Sequence, residues 1–225
     1  MTAPPTILHP ISSDTSTFSD QWHKHRSIAY SNKPLISKFK IRLAEERDAP
    51  LLPAVERSAG RTFLQHPKLA WIADDGTQSV EQHLDFIKRG LEWVAVNGDA
   101  KDAPVGFLNG FLNEETTSTS TSTSTTFHIQ EISVEAEYQG KGIGRGLMET
   151  ARQWAAGSGC EALTLTTFRN VPWNEGFYRS IGFRTLDSSE LTRSLEVMMK
   201  KEADAGLALE ARCAMFLSLD SGGRS

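Results

Sequence analysis

Residues 127–146 read FHIQEISVEAEYQGKGIGRG. Phe127 to Val134 is rich in β-formers and has almost no helical period, so it reads as a strand. Gly140, Gly142, Gly144 and Gly146 then recur at every second position. No helix interior tolerates that density, and the chain must turn there. From Ile143 a helical period sets in, with Ile143, Leu147, Ala151 and Trp154 on one apolar stripe. A glycine-rich turn feeding a helix N-terminus presents free backbone N–H groups at the positive end of the helix dipole. That is a site for phosphate.

Two familiar phosphate motifs are excluded. A Walker loop ends in Gly-Lys-Ser/Thr, and nothing here does. The dinucleotide fingerprint needs G-x-G-x-x-G, whereas Gly140, Gly142 and Gly144 run as G-x-G-x-G. What stands is Q-G-K-G-I-G, Gln139 to Gly144. At 225 residues and 39% hydrophobic content the chain can bury one sizeable core. A net charge of −4 argues against nucleic acid as a bulk partner and suits a cationic substrate. Cys160 and Cys213 make neither a disulfide framework nor a metal site and read as small buried hydrophobes. No apolar run is long enough to span a membrane, and no hydrophobic signal core opens the chain. A cytoplasmic location, with no membrane partner, follows as the expectation.

Residues 1–37, rich in Ser, Thr, Pro and His, read as a flexible arm. One domain is expected over 38–220, followed by a short tail, 221–225. Lys38 to Leu43 alternates as a first strand. A helix follows from Pro50, with Leu51, Val55 and Ala59 sharing a face, and Gly60 ends or kinks it. The segment Arg61 to Asp75 is irregular; its aromatics either line a pocket or cap the core. Ser79-Val80-Glu81-Gln82 is a capping-box pattern that opens a helix closed by Gly90. Glu92–Val96 and Pro104–Leu112 read as a hairpin, with Gly106 and Gly110 marking a bulge or a close approach. The Ser/Thr run 116–126 reads as a disordered loop between strands. After the long helix come a strand at Ala162–Phe168, a short helix at Asn174–Ile181, a strand from Phe183, a helix over 191–205 and a last strand over 211–219. The order β-α-α-β-β-β-α-β-α-β-α-β means α/β or α+β with a mixed sheet.

The Gln139–Gly144 motif resembles the R/Q-x-x-G-x-G/A motif of the GNAT N-acetyltransferase superfamily, which binds the pyrophosphate of acetyl-coenzyme A. A second stretch, Arg169 to Phe183 (RNVPWNEGFYRSIGF), also looks like that family, through Phe177-Tyr178 and Gly182-Phe183. The resemblance covers Phe39 to Leu219, apart from the Ser/Thr run. It implies a mixed, twisted sheet of about six or seven strands with helices on both faces. Two neighbouring parallel strands, Phe127–Val134 and Ala162–Phe168, would splay to admit the cofactor. The pantetheine arm would pair with the backbone of Ile132, Ser133 and Val134 like an added strand. The pyrophosphate would sit on the amides from Gly140 to Arg145, including Lys141, Gly142, Ile143 and Gly144. Lys141 and Arg145 would add charge or remain solvated. Asn170 or Asn174 would hold the cofactor, with a helix cap as the other reading of Asn174.

The implied chemistry is attack of a neutral amine on the thioester. Tyr178 matches the family's general acid, aimed at the coenzyme sulfur; the amide of Val134 or Ile132 would serve the oxyanion. For the base, Glu131 is the first candidate and His128 the second, with a water relay as a further option. Strand alternation puts His128 and Gln130 on one face and Glu131 on the other, unless a bulge reverses it. The expected activity is acetylation of a small-molecule primary amine, with no metal. The alternatives are a protein lysine or N-terminus as acceptor, or a non-catalytic module that binds coenzyme A. Pairing through the last strands, as in relatives, leaves a homodimer open.

Overall fold

In the computed structural model the described residues are 39–74, 76–98, 102–116, 123–169, 171 and 173–219. The arm 1–37, the tail 221–225 and Asn170 lie outside them. The strands are β1 (Phe39–Leu43), β2 (Glu92–Asn97), β3 (Pro104–Thr116), β4 (Thr123–Val134), β5 (Ala162–Phe168), β6 (Arg184–Thr185) and β7 (Arg212–Ser218). The helices are α1 (Leu52–Gly60), α2 (Val80–Lys88), α3 (Ile143–Gly157), α4 (Glu175–Ser180) and α5 (Arg193–Asp204). This is the order expected from the sequence. The seven strands form one sheet in the order β1-β2-β3-β4-β5-β7-β6. Every pairing is antiparallel except β4 with β5.

Side-chain alternation divides the sheet into two buried faces. On one face Trp93, Ala95, Leu108, Phe127, Ile129, Leu163, Leu165, Cys213 and Met215 meet the α3 stripe of Ile143, Leu147, Met148, Ala151 and Ala155. Each fully buried leucine there contributes about 1.5–3 kcal/mol. Phe177 and Tyr178 of α4 pack against this same core. On the other face Val94, Val96 and Phe107 meet Leu52 and Val55 of α1, and further along Ala214 meets Leu195 of α5. Ser79 and Gln82 cap α2 reciprocally, at 2.7 and 3.3 Å, as the sequence pattern required.

Two expectations need correction. The α1 stripe is not Leu51, Val55 and Ala59. A 3-10 turn over Ala49–Leu51 precedes the helix, which rotates Leu51 outward to 47% exposure and turns Leu52 in. The Ser/Thr run is not a loop over all of 116–126. Its flanks extend the β3–β4 ladder, with Thr116 opposite Thr123 and Asn113 opposite Thr126. Thr is a β-former, and paired backbone needs no apolar anchor at the end of a long hairpin.

Candidate active site

The site begins where β4 and β5 part. Their parallel pairing covers only Thr126–His128 against Ala162–Thr164. Beyond His128 the strands no longer pair, which leaves a gap flanked by the rest of β4. Glu135 donates to the Val105 carbonyl at 3.0 Å. With the β3–β4 register, hydrogen-bonded pairs therefore alternate through Phe107/Ser133 and Asn109/Glu131. The backbones of Ile132 and Val134 thus face the gap, while that of Ser133 is turned to β3. Of the three backbones expected to pair with pantetheine, those of Ile132 and Val134 face the gap and that of Ser133 faces β3. Gln139 closes one of these positions: its Nε2 donates to the Val134 carbonyl at 3.0 Å, and the Thr62 hydroxyl donates to its Oε1 at 3.0 Å.

At the end of the gap lies the glycine turn. Gly140 and Gly142 have φ of +73° and +84°, the left-handed region that glycine enters without strain. Gly142 is the residue before α3, and the first helical bond runs from Gly146 to its carbonyl at 3.0 Å. The amides of Ile143, Gly144 and Arg145 precede that bond, and the first turn holds no acidic side chain. An anion finds donors and a favourable dipole there. Lys141 lies over the Tyr138 ring at 4.8 Å. Arg145 donates to the Ser180 hydroxyl at 3.1 Å, so it ties α3 to α4 rather than standing free beside the turn. Asn174 precedes α4 without a side-chain capping bond.

The bulge that alternation left open is present. Asn109 pairs with Glu131 and Gly110 with Ile129, so Gln130 is the extra residue. The close approach this needs falls at Gly110, where a Cβ would lie 2.3 Å from the His128 carbonyl oxygen. One extra residue reverses the parity of everything after it. His128 and Glu131, expected on opposite faces, therefore share the α1 face. Glu131 accepts from the Ser133 hydroxyl at 2.8 Å. The gap-facing Ile132 amide also reaches its carboxylate, which is held above the ordinary range chiefly by burial. Tyr178 approaches from the α3 side. Its phenol is pushed up by burial and then by the Glu131 charge, so the two groups sense each other through the gap.

His128 has a different environment. It is buried, its ring lies against Phe111 at 5.1 Å, and its Nδ1 is 3.0 Å from the Thr164 hydroxyl. Burial and the Arg212 charge push it down to about 3. Its surroundings therefore favour the neutral imidazole.

Several polar groups at this site carried no motif. Glu56 of α1 accepts the Gln78 N–H at 2.9 Å. Burial and then Glu131 push it up to about 8. The Gln78 side chain meets Asn109, which donates to Glu92 at 3.1 Å; the His83 Nδ1 lies 2.7 Å from the same oxygen. Arg212 donates to Glu202 at 2.8 Å and to the Thr166 hydroxyl at 3.1 Å. One signal was present for each. Glu56 follows the buried Leu52 by four residues, Glu92 is in phase with Val94 and Val96, and Arg212 is in phase with Ala214. A charge in phase with a buried stripe must find a partner or a function.

Comparison with known proteins agrees with this fold. The sequence model of the Acetyltransferase (GNAT) family matches residues 60–183. A chain of the NatC complex bound to Gag peptide and CoA is 15% identical, with a TM-score of 0.56 over 80% of this chain and 98% of that one. The PaiA N-acetyltransferase of Thermoplasma acidophilum, in complex with coenzyme A, is 18% identical, with a TM-score of 0.52 over 80% and 98%. The ribosomal-protein-S18-alanine N-acetyltransferase of Escherichia coli is 16% identical, with a TM-score of 0.51 over 83% and 97%. At these identities the likeness is one of fold.

Proposed function

The chain belongs to the GNAT acetyltransferase family, and on that premise we propose that it transfers the acetyl group of acetyl-coenzyme A to the primary amine of a small molecule. The observation that carries this reading is the parting of β4 from β5 after His128, with the α3 amides at its end. In this reading the Ile132 and Val134 backbones hold the pantetheine arm, and the turn from Gly140 to Arg145 holds the pyrophosphate. Acetyl-coenzyme A supplies the activated carbonyl. Gln139 acts indirectly, by fixing the end of β4.

Tyr178 is the acid. A phenol whose proton is held by burial stays protonated at neutral pH and has it to give when the thiolate leaves. Glu131 faces it across the gap as part of the base. His128 has a packing role, through Phe111 and Thr164. Glu56 and Glu131, on the α1 face, offer oxygens to an acceptor that arrives as an ammonium. The compartment in this reading is the cytoplasm, where the free, buried thiols of Cys160 and Cys213, both pushed up to about 11, stay reduced and inert.

A protein lysine or N-terminus is the second reading. Leu64 and Trp71, 56% and 43% exposed on the connection between α1 and α2, favour it as a surface for a peptide. The test is thiol release from acetyl-coenzyme A with polyamines, amino acids, amino sugars, aminoglycosides and lysine peptides, for the wild type and Tyr178→Phe. Turnover with one amine class, lowered about 10²–10⁴-fold in the variant while acetyl-coenzyme A affinity holds, is the expected result. Unchanged turnover in Tyr178→Phe removes the acid assignment. Binding of acetyl-coenzyme A without turnover of any amine favours a non-catalytic module.

A further inference from the structure

On the reading just given, the acceptor amine must lose a proton before it attacks, and Glu131 is one carboxylate within reach. A second lies on the same face: Glu56 accepts the Gln78 N–H, and the Gln78 side chain meets Asn109, the β3 residue paired with Glu131. α1 packs on β3 and β4, and its inward stripe of Leu52 and Val55 continues to Glu56. That stripe seats Glu56 against the sheet on the face to which the Gln130 bulge brings Glu131. The Gln78 N–H donates to Glu56 at 2.9 Å and the Ser133 hydroxyl to Glu131 at 2.8 Å. Neither makes an ion pair within 4.0 Å among the described residues.

We propose that Glu56 takes the proton of the acceptor ammonium and that it shares the single proton of this carboxylate pair with Glu131. Two half-buried carboxylates on one face do not both ionise readily, so one proton is retained between them. The charged groups around the pair fix which one holds it. Glu56 faces Glu131 and Glu92, which raise its proton affinity, and Arg57, which lowers it. Glu131 additionally faces Arg212 and His83, which favour its ionised form. The proton therefore resides on Glu56, and its affinity, with a midpoint of about 8, lies close to what proton transfer from an amine at neutral pH needs. Above that midpoint Glu56 is the free base.

The step balances as follows. The ionised Glu56 carboxylate takes one proton from R–NH3+, leaving a carboxylic acid and a neutral amine. The nitrogen lone pair forms the C–N bond at the thioester carbonyl and the C–S bond breaks with its electron pair on sulfur. Tyr178 gives its proton to that sulfur. The proton shed by the new amide nitrogen restores the phenol, and Glu56 releases its own to solvent. The sequence consumes an ammonium and an acetyl thioester and yields an amide, a thiol and one proton.

The carboxyl carbons of full-length protein labelled with 13C-glutamate would be titrated by NMR in the wild type, Glu56→Gln and Glu131→Gln. One resonance, absent from Glu56→Gln, is expected to titrate at about 8 and to move to lower pH in Glu131→Gln. A Glu56 resonance that titrates near the ordinary 4.5, or one that does not move when Glu131 is neutralised, overturns the shared proton. The amine identified by the thiol-release panel then reports the role in turnover. The acid limb of kcat/KM should follow the same midpoint, moving down in Glu131→Gln, and Glu56→Gln should lose turnover. A Glu56→Gln enzyme with wild-type turnover and an unmoved acid limb overturns the assignment and leaves the base to Glu131. If the wild type turns over no amine, the acetyltransfer reading fails by itself, while the carboxyl titration still decides whether the proton is shared.

Discussion

Glu56→Gln should stabilise the protein, and increasingly so as pH rises. In the folded chain the carboxyl is pushed up from 4.5 to about 8. In the unfolded chain it ionises near the lower value. Between the two, the folded state holds a proton that the unfolded state has released, so stability falls as pH rises through that window. At about 1.4 kcal/mol per pH unit the difference sets an upper bound of about 5 kcal/mol, reached above the folded midpoint. Water entering the site when Glu56 ionises would bring this down to about 3 kcal/mol. Glu92 and Glu131 are raised as well, so the wild type alone does not isolate Glu56. The quantity to measure is the difference between Glu56→Gln and wild type in urea unfolding, from about pH 5 to about pH 9. It should be small at the acid end and grow to about 3 kcal/mol in favour of the variant at the alkaline end, or about 6–12 °C in Tm for a domain of this size. Parallel stability curves would mean that Glu56 ionises like a surface glutamate, and the reasoning about a carboxylate pair would fail with them.

Two further perturbations test other parts of the site. Gly142→Ala adds a Cβ into open space, so its cost is the left-handed backbone alone, about 1–2 kcal/mol. Calorimetry with acetyl-coenzyme A should show affinity lowered about tenfold if relief of that strain re-aims the α3 amides, with the fold intact by circular dichroism. Arg212→Met leaves the buried Glu202 carboxylate without its cation and should cost about 3–5 kcal/mol in urea unfolding. The same change removes the charge that helps depress His128, so its ring should titrate above about 3 by NMR.

Local pattern carried a large part of the fold because each element obeys its own period. The α3 stripe, the capping box at Ser79 and the alternation of β1 were all legible. So was the glycine turn, since residues that must adopt positive φ are written as glycine. Errors arose where one residue of phase decides. The 3-10 turn at Ala49–Leu51 shifts the α1 stripe by one position, to Leu52, and Glu56 falls on it four residues later. Strand parity could name Glu131 and His128 but could not set their faces, because a bulge costs one residue and leaves little mark in composition.

From residues alone followed the element order, the glycine turn before α3, the strand beside it and the aromatic pair at Phe177-Tyr178. All of these depend on near neighbours in the chain. Long-range contact decided the rest. The Gln130 bulge exists because Gly110, on another strand, lets the His128 carbonyl come close. Glu56 and Glu131 share a face because α1 packs across β3 and β4, and the Glu131 charge helps push the Tyr178 phenol up. Proton affinity depends on what surrounds a carboxylate in space. Those surroundings come from segments far apart in the chain, 75 residues from Glu56 to Glu131 and 81 from Glu131 to Arg212, which no local period connects.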